Sequence, residues 1–131
     1  MTMKKVLRTR TFTRWMRKTG LTDEMLSQAV SEMMQGLVDG NLGGNLVKKR
    51  IGLSGRGKRG GGRTIVATNR CDRWFFLYGF EKNERANISK VEIKALRELA
   101  GQYLAFDDKQ IELAVRSGKV MEVYDDDNNK T

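Results

Sequence analysis

The spacing of apolar residues in the first part of the chain predicts a short strand followed by two helices. Residues 5–8 predict the strand, and residues 11–18 predict a helix of one or two turns. Thr22 is a good helix N-cap, and after it apolar residues recur at three- and four-residue spacings as far as Val38. We therefore expect a second helix that ends at Asp39-Gly40-Asn41, and the two helices would form an N-terminal hairpin.

Three strand-like segments follow, at residues 46–53, 63–68 and 73–80. The third is apolar on both faces, which predicts a central place in a sheet. The stretch before Gly62 is rich in glycine, and we expect it to be irregular because glycine loses much backbone entropy in regular structure. The short connections between the three strands predict an antiparallel meander.

The C-terminal third of the chain predicts two further helices. Ser89 with Glu92 forms a capping-box pattern before the first, and residues 107–115 predict the second. Residues 120–124 would form a small strand or an ordered tail. The chain therefore predicts an α+β fold, in which a small antiparallel sheet (the N-terminal strand plus the three-stranded meander) packs on the N-terminal helical hairpin and the C-terminal helices.

Composition limits the functions that the chain can have. The chain has 131 residues and a net charge of +9, which predicts binding to the phosphates of nucleic acid or of a membrane surface. No apolar stretch approaches the roughly 20 residues of a membrane span, so we expect no membrane partner and, without a signal peptide, a cytoplasmic location. Cys71 has no second cysteine to pair with. Because histidine is absent, catalysis would use Lys, Arg, Tyr or a carboxylate, without metal or other cofactor.

Seven basic residues occur in one window that contains no acidic residue. A solvated, mobile loop is the plain interpretation of such a window. Cations on the flanking strands would be held in place, however, and this favours phosphate binding, with RNA as the expected polyanion. The glycines lack the Gly-Lys-Ser/Thr ending of a P-loop, which argues against nucleotide hydrolysis. The seven are Lys48, Lys49, Arg50, Arg56, Lys58, Arg59 and Arg63.

A second group of residues lies at the end of the third strand of the predicted meander: Tyr78, Phe80, Lys82, Asn83 and Arg85. In an antiparallel pair the end of one strand lies beside the start of the next, so we expect Lys82 and Arg85 to lie close to Arg63. The plain alternative is that the aromatic residues are core and that the two cations pair with neighbouring glutamates on the surface.

Both basic segments resemble a known family. Residues 55–65 (GRGKRGGGRTI) and 76–89 (FLYGFEKNERANIS) are similar to the RelE/HigB-type toxins of bacterial type II toxin–antitoxin systems, above all to the HigB-like branch with a basic, glycine-rich loop. The resemblance covers about residues 4–105. It implies one RelE-like domain over residues 1–124, in which residues 106–124 are a C-terminal helical extension, and a polar tail over residues 125–131.

The resemblance implies cleavage of mRNA in the ribosomal A site and neutralisation by a cognate antitoxin, with which the toxin could form a hetero-oligomer. Arg63, Lys82 and Arg85 match positions that bind the scissile phosphate, and Lys58 matches a basic loop position, so these four are the implied catalytic residues. The implied RNA-binding residues are Lys48, Lys49, Arg50, Arg56, Arg59 and Asn83.

Three questions stay open from the sequence. Family members often use a Tyr or His as proton donor, but neither Tyr103 nor Tyr124 can be aligned to that position. Lys82 or Lys58 could act as the base. Two other functions would use the same basic residues: non-catalytic binding to RNA or the ribosome, and poisoning of DNA topoisomerase by a toxin of related fold.

Overall fold

The computed structural model describes the backbone of residues 4–53 and 57–124 and the side chains of residues 4–53 and 61–124. Arg56 and the predicted tail at 125–131 lie outside the described residues, as do the side chains of Lys58 and Arg59. In chain order the elements are β1 (Lys5–Thr9), α1 (Arg10–Arg17), α2 (Asp23–Met34), β2 (Gly40–Gly43), β3 (Leu46–Leu53), β4 (Gly57–Thr68), β5 (Arg73–Glu81), α3 (Lys90–Leu104), α4 (Asp108–Arg116) and β6 (Val120–Glu122).

The strands form one six-stranded sheet in the order β2-β3-β4-β5-β1-β6. The meander of β3, β4 and β5 is antiparallel, as predicted, and β5 is an interior strand. The α+β class is confirmed. The sheet is mixed, however, because β1 runs parallel to β5, and the long connection between them, which contains both N-terminal helices and strands β2 to β4, allows this crossover. The sequence did not predict β2, which pairs with the start of β3.

The helix caps agree with the sequence pattern, but α2 is shorter than predicted. The hydroxyl of Thr22 accepts a hydrogen bond from the Met25 amide, and Ser89 and Glu92 form both bonds of a capping box. The prediction that α2 continues to Val38 is wrong. The helix ends at Met34 because Gly36 takes a left-handed conformation with φ of 90°, which turns the chain towards β2.

The prediction that the glycine-rich stretch is irregular is wrong for its second half, since β4 begins at Gly57. Ladder pairing with β3, in which Ile51 lies opposite Gly62, offsets the entropy cost of ordering these glycines. The packing also requires small residues here. A Cβ on Gly62 would lie 2.9 Å from the Trp15 ring, and a Cβ on Gly79 would lie 2.2 Å from it. The indole of Trp15 therefore lies directly on the backbone of β4 and β5.

Each face of the sheet has its own apolar core. On one face the two N-terminal helices pack in a cluster that includes Phe12, Leu26 and Phe76. On the other face α3 and α4 pack in a cluster that includes Phe75 and Tyr103. Across the ranges 4–53 and 57–124, no helix is both long and apolar enough to cross a membrane.

Candidate nucleic-acid interface

Two rows of side chains cross the meander on the face that α3 and α4 cover in part. The first row is Arg50, Arg63 and Phe80, and the second row is Lys48, Ile65 and Tyr78. Alternate residues of a strand share a face, so the two rows lie side by side. We call these two rows, together with Lys82 and Arg85 of the following turn, the basic face. Its four row-forming polar side chains come from three different strands.

A β-bulge places the aromatic residues of β5 on this face. Val66 pairs with Phe76 while Ile65 pairs with Tyr78, so Leu77 is the extra residue. A bulge shifts the alternation of a strand by one residue. Tyr78 therefore packs on the same core cluster as Phe75, although strict alternation would place the two on opposite faces.

Arg63 is held below the surface of this face. It is only 5% exposed and lies between Arg50 on β3 and Phe80 on β5. Burial is the largest cause that lowers the pKa of its guanidinium; the neighbouring Arg50 lowers it further, and Asp39 opposes both. The charge of Arg63 therefore acts in a partly desolvated setting, where it has a longer reach than in water.

Arg85 follows β5 and turns back over the same ring. Its guanidinium carbon lies 5.7 Å from the centroid of Phe80. Arg63 and Arg85 thus share one neighbour, Phe80, which lies opposite Arg63 in the strand pair. Nη1 donates to Glu92 Oε2 at 2.9 Å and to the Tyr78 hydroxyl at 3.3 Å, Nη2 donates to Glu92 Oε1 at 2.5 Å, and Nε donates to the Asn87 carbonyl at 3.0 Å. These bonds use four of the five N–H groups that a guanidinium has.

Glu92 has two roles at the start of α3. Its carboxylate pairs with Arg85 and also accepts a hydrogen bond from the Ser89 amide. Two hydrogen bonds are the main causes that lower the pKa of Glu92 to about 2. The bond from Arg85 has the larger effect, and the bond from the Ser89 backbone amide has the second largest. The same pair raises the pKa of Arg85 above its ordinary value. Both groups therefore stay charged at neutral pH.

The remaining predicted residues divide by face and exposure. Lys48 is half-buried and Arg50 is exposed, both on the basic face. Lys49 projects to the opposite face, where its Nζ lies 2.8 Å from Glu32 Oε1 and donates to the Leu37 carbonyl at 2.9 Å. The structure thus separates Lys49 from the cations with which the sequence grouped it.

Lys82 and Asn83 lie exposed in the turn after β5. The Lys82 amide donates to the Gly61 carbonyl at 3.4 Å, which holds the start of the turn against β4 two residues from Arg63. The sequence prediction that Lys82 emerges near Arg63 is therefore supported at the level of the backbone.

One functional candidate, Glu92, is not singled out by the sequence, which indicates only its role as a capping residue. Tyr78 belongs to the predicted group at the end of β5, but the sequence assigns it no chemical role. No signal in the sequence pairs Glu92 with Arg85, since a turn of unpredictable geometry separates them. The two tyrosines considered as proton donors lie elsewhere: Tyr103 stacks on Phe75 at the far end of β5, and Tyr124 is exposed at the end of β6. Burial raises the pKa of Tyr103.

No group of three Cys, Asp or Glu side chains within the described part of the chain is arranged to hold a metal ion. What the basic face offers is positive charge from Arg50, Arg63, Lys82 and Arg85, an aromatic ring and a phenol.

The sequence matches a family model over most of its length. The family model of the RelE toxin of the RelE/RelB toxin–antitoxin system matches residues 4–123. The chain belongs to this family, and its class is therefore the toxin component of a toxin–antitoxin system, whose partner is an antitoxin. No curated protein shows significant similarity to the chain.

Proposed function

We propose that this toxin is an endoribonuclease of the HigB-like type that cleaves mRNA in the ribosomal A site and so stops translation. The observation that carries the proposal is that Phe80 lies opposite Arg63 in the strand pair while the Arg85 guanidinium lies over the Phe80 ring, so that both arginines neighbour one residue on one face of the sheet. Guanidinium groups on one face are suited to a phosphate, whose negative charge grows as it is attacked.

The chemistry requires no histidine. The ribose 2′-oxygen attacks the adjacent phosphorus, the bond to the 5′-oxygen breaks, and the products are a 2′,3′-cyclic phosphate and a 5′-hydroxyl. Arg63 stabilises the charge on the phosphoryl oxygens from beneath, and the exposed Lys82 approaches from the turn. Lys82 or Lys58 accepts the proton of the 2′-hydroxyl. The ribosome supplies much of the alignment, because holding the reacting atoms in line is itself a large part of catalysis.

The exposed cations extend the phosphate contacts beyond the scissile bond. Arg50 lies in the same row as Arg63, and Lys48 lies in the neighbouring row on the same face. Asn83, in the turn after β5, would extend the interface, and the family resemblance adds Arg56, Lys58 and Arg59, whose side chains lie outside those that the structure describes. Each phosphate that such a cation neutralises releases counterions, so the affinity for RNA falls steeply as salt is raised.

Non-catalytic binding to RNA or the ribosome is the second candidate. The observation that favours it is that Arg85 already has four hydrogen bonds within the protein, so only one N–H is available to a phosphate. A binding protein would keep the salt-dependent affinity and leave the RNA intact. Cleavage products therefore separate the two candidates.

The test uses ribosomes programmed with mRNA and the purified toxin. Mapping of mRNA ends is expected to show cuts within the A-site codon, with a cyclic phosphate on the upstream fragment. The double variant Arg63→Ala, Lys82→Ala should lose this cleavage. The matched control, Arg14→Ala with Arg17→Ala, removes two exposed cations of α1 and should cleave normally. Intact mRNA with the natural protein, or equal cleavage by the Arg63/Lys82 variant, would contradict the proposal.

Expression in cells tests the toxin class separately from the chemistry. Growth should stop when the gene is induced alone and resume when its chromosomal neighbour, the expected antitoxin gene, is expressed with it. Intact mRNA with damaged DNA in the arrested cells would instead indicate a toxin that acts on topoisomerase.

A further inference from the structure

The hydroxyl of Tyr78 accepts a hydrogen bond from a guanidinium. Nη1 of Arg85 lies 3.3 Å from it. A guanidinium has only donors, so in this bond the phenol oxygen accepts and its own proton points elsewhere. Among the residues that the structure describes, the Tyr78 hydroxyl has no hydrogen-bond acceptor. Its proton can therefore be directed at a ligand on the basic face.

Arg85 is fixed against this oxygen. Glu92 holds its guanidinium by two bonds and the Asn87 carbonyl by one, while its face rests over the Phe80 ring. A cation that is held in this way cannot swing far towards a substrate without breaking several contacts. What it does without moving is stabilise negative charge on the Tyr78 oxygen, and a preorganised cation does so at no cost of reorganisation.

Tyr78 is also within reach of the proposed scissile phosphate. Phe80 lies opposite Arg63, and Tyr78 is two residues before Phe80 on the same face. Diagonal neighbours of this kind are about 7–8 Å apart across an antiparallel pair, a gap that an arginine and a tyrosine can both extend into. A phosphate bound at Arg63 would therefore lie next to the phenol.

We propose that Tyr78 is the proton donor of the cleavage reaction, an inference that rests on the endoribonuclease function proposed above. As the bond from O2′ to phosphorus forms and the bond from phosphorus to O5′ breaks, the electron pair of the broken bond goes to O5′, which takes the Tyr78 proton. The phenolate is stabilised by Arg85 and regains a proton from water. The proton of the 2′-hydroxyl is lost to the base and then to solvent, so the reaction is balanced without a further reactant. In this scheme Glu92 is a positioning residue, because it acts through Arg85.

The test compares Tyr78→Phe with the natural protein on two mRNAs placed on the ribosome. One is ordinary RNA that contains the codon cut by the natural protein. The other carries sulfur in place of the 5′-oxygen at the same bond. A thiolate leaves without being protonated, so it makes a proton donor unnecessary. The variant keeps the ring that packs beside Phe80, and Tyr103→Phe is the control, since that tyrosine lies at the far end of β5.

We expect Tyr78→Phe to cleave ordinary mRNA about 10²–10⁴-fold more slowly, the usual effect of losing a general acid, and to cleave the sulfur-containing mRNA at nearly the natural rate. Tyr103→Phe should cleave both at natural rates. Equal slowing of Tyr78→Phe on both mRNAs would show a structural role and overturn the inference, and so would unchanged cleavage of ordinary mRNA. If the natural protein cleaves neither mRNA, it is the proposed function that fails, and the inference fails with it.

Discussion

Arg63 lies directly opposite Phe80 in the antiparallel pair of β4 and β5, and the ring of Phe80 is also the surface over which Arg85 lies. Phe80 is thus a common neighbour of two arginines that are 22 residues apart in the sequence. Arg63 is 5% exposed and Arg85 is half-buried, so both charges are partly out of water. This relationship makes separable predictions for the two arginines.

Arg63→Lys keeps a positive charge but loses the planar fork that can hold two oxygens of a phosphate. We expect its single-turnover cleavage of mRNA on the ribosome to fall roughly 10²-fold, the effect of removing one donor to a developing oxyanion. Arg17→Lys, a matched change at an exposed position of α1, should not alter the rate. If Arg63→Lys cleaves at the natural rate, only the charge of Arg63 matters for cleavage. If Arg63→Ala also cleaves at the natural rate, Arg63 is not part of the site.

Lys48 and Lys49 are adjacent in the chain but lie on opposite faces of the sheet, which makes them a matched pair. Lys49→Met removes a buried ammonium that pairs with Glu32 and donates to the Leu37 carbonyl. We expect the free energy of unfolding to fall by about 2 kcal/mol, as for lost hydrogen bonds to a charged group, with RNA affinity unchanged.

Lys48→Met should behave in the opposite way. Its stability should be close to that of the natural protein, while the slope of log affinity for single-stranded RNA against log salt should fall by about 0.7, the value for one phosphate contact. Urea unfolding and RNA titrations at several salt concentrations measure both quantities. If Lys49→Met reduces the salt dependence of RNA affinity instead, Lys49 is part of the RNA interface.

Glu92→Gln tests the pair that holds Arg85. Glutamine can still complete the capping box with Ser89, but it cannot pair with the guanidinium as an ion. The folded pKa of Glu92 is about 2, below its ordinary value of 4.5, so the carboxylate stabilises the fold above pH 4.5 and this contribution is lost as the pH falls towards 2. We expect the stability difference between the natural protein and Glu92→Gln to shrink over that range.

Urea unfolding at a series of pH values measures this difference. Glu112→Gln is the control, because Glu112 pairs with Arg116 at an exposed i,i+4 site, where an ion pair contributes little. If Glu92→Gln and the natural protein lose stability in parallel on acidification, the Glu92–Arg85 pair does not stabilise the fold.

The sequence pattern was sufficient for most of the fold and for the outline of the basic face. Apolar spacing and capping residues predicted each of the four helices within the described residues, and the apolar third strand of the meander was correctly placed in the sheet interior. The strand over Gly57–Gly62 was missed because its stability comes from pairing with β3 and from contact with Trp15, which no local propensity records.

The role of Tyr78 as the proposed proton donor could not be predicted from the sequence for a related reason. The bulge at Leu77 reverses the face on which Tyr78 lies, and a bulge of this kind follows from the register of two strands rather than from the residues of one. The same limit applies to Lys49, whose partner Glu32 lies on α2. Periodicity within one element can be predicted from the sequence, whereas strand register and side-chain pairs between elements are seen only in the folded structure.

The contact between Trp15 and the sheet backbone makes the last prediction. A Cβ on Gly79 would lie 2.2 Å from Trp15 Cε3, so Gly79→Ala must displace the indole or the strand, and we expect it to cost about 1–3 kcal/mol of unfolding free energy. Gly101→Ala is the control, since in the last turn of α3 nothing outside the helix backbone lies within 4 Å of a Cβ at this position, and there alanine should stabilise the protein by up to roughly 0.5–1 kcal/mol.

Replacing the indole should relieve the clash. In the background of Trp15→Leu, the further change Gly79→Ala should cost less than it does in the natural protein, and the difference measures the coupling between the two positions. Urea unfolding of the four proteins in this cycle gives that value. Additive effects would mean that the indole does not rest on Gly79. Gly79 lies between Tyr78 and Phe80 of the basic face. Coupling between Gly79 and Trp15 would therefore also show that Trp15 of α1, on the opposite side of the sheet, supports this segment of β5.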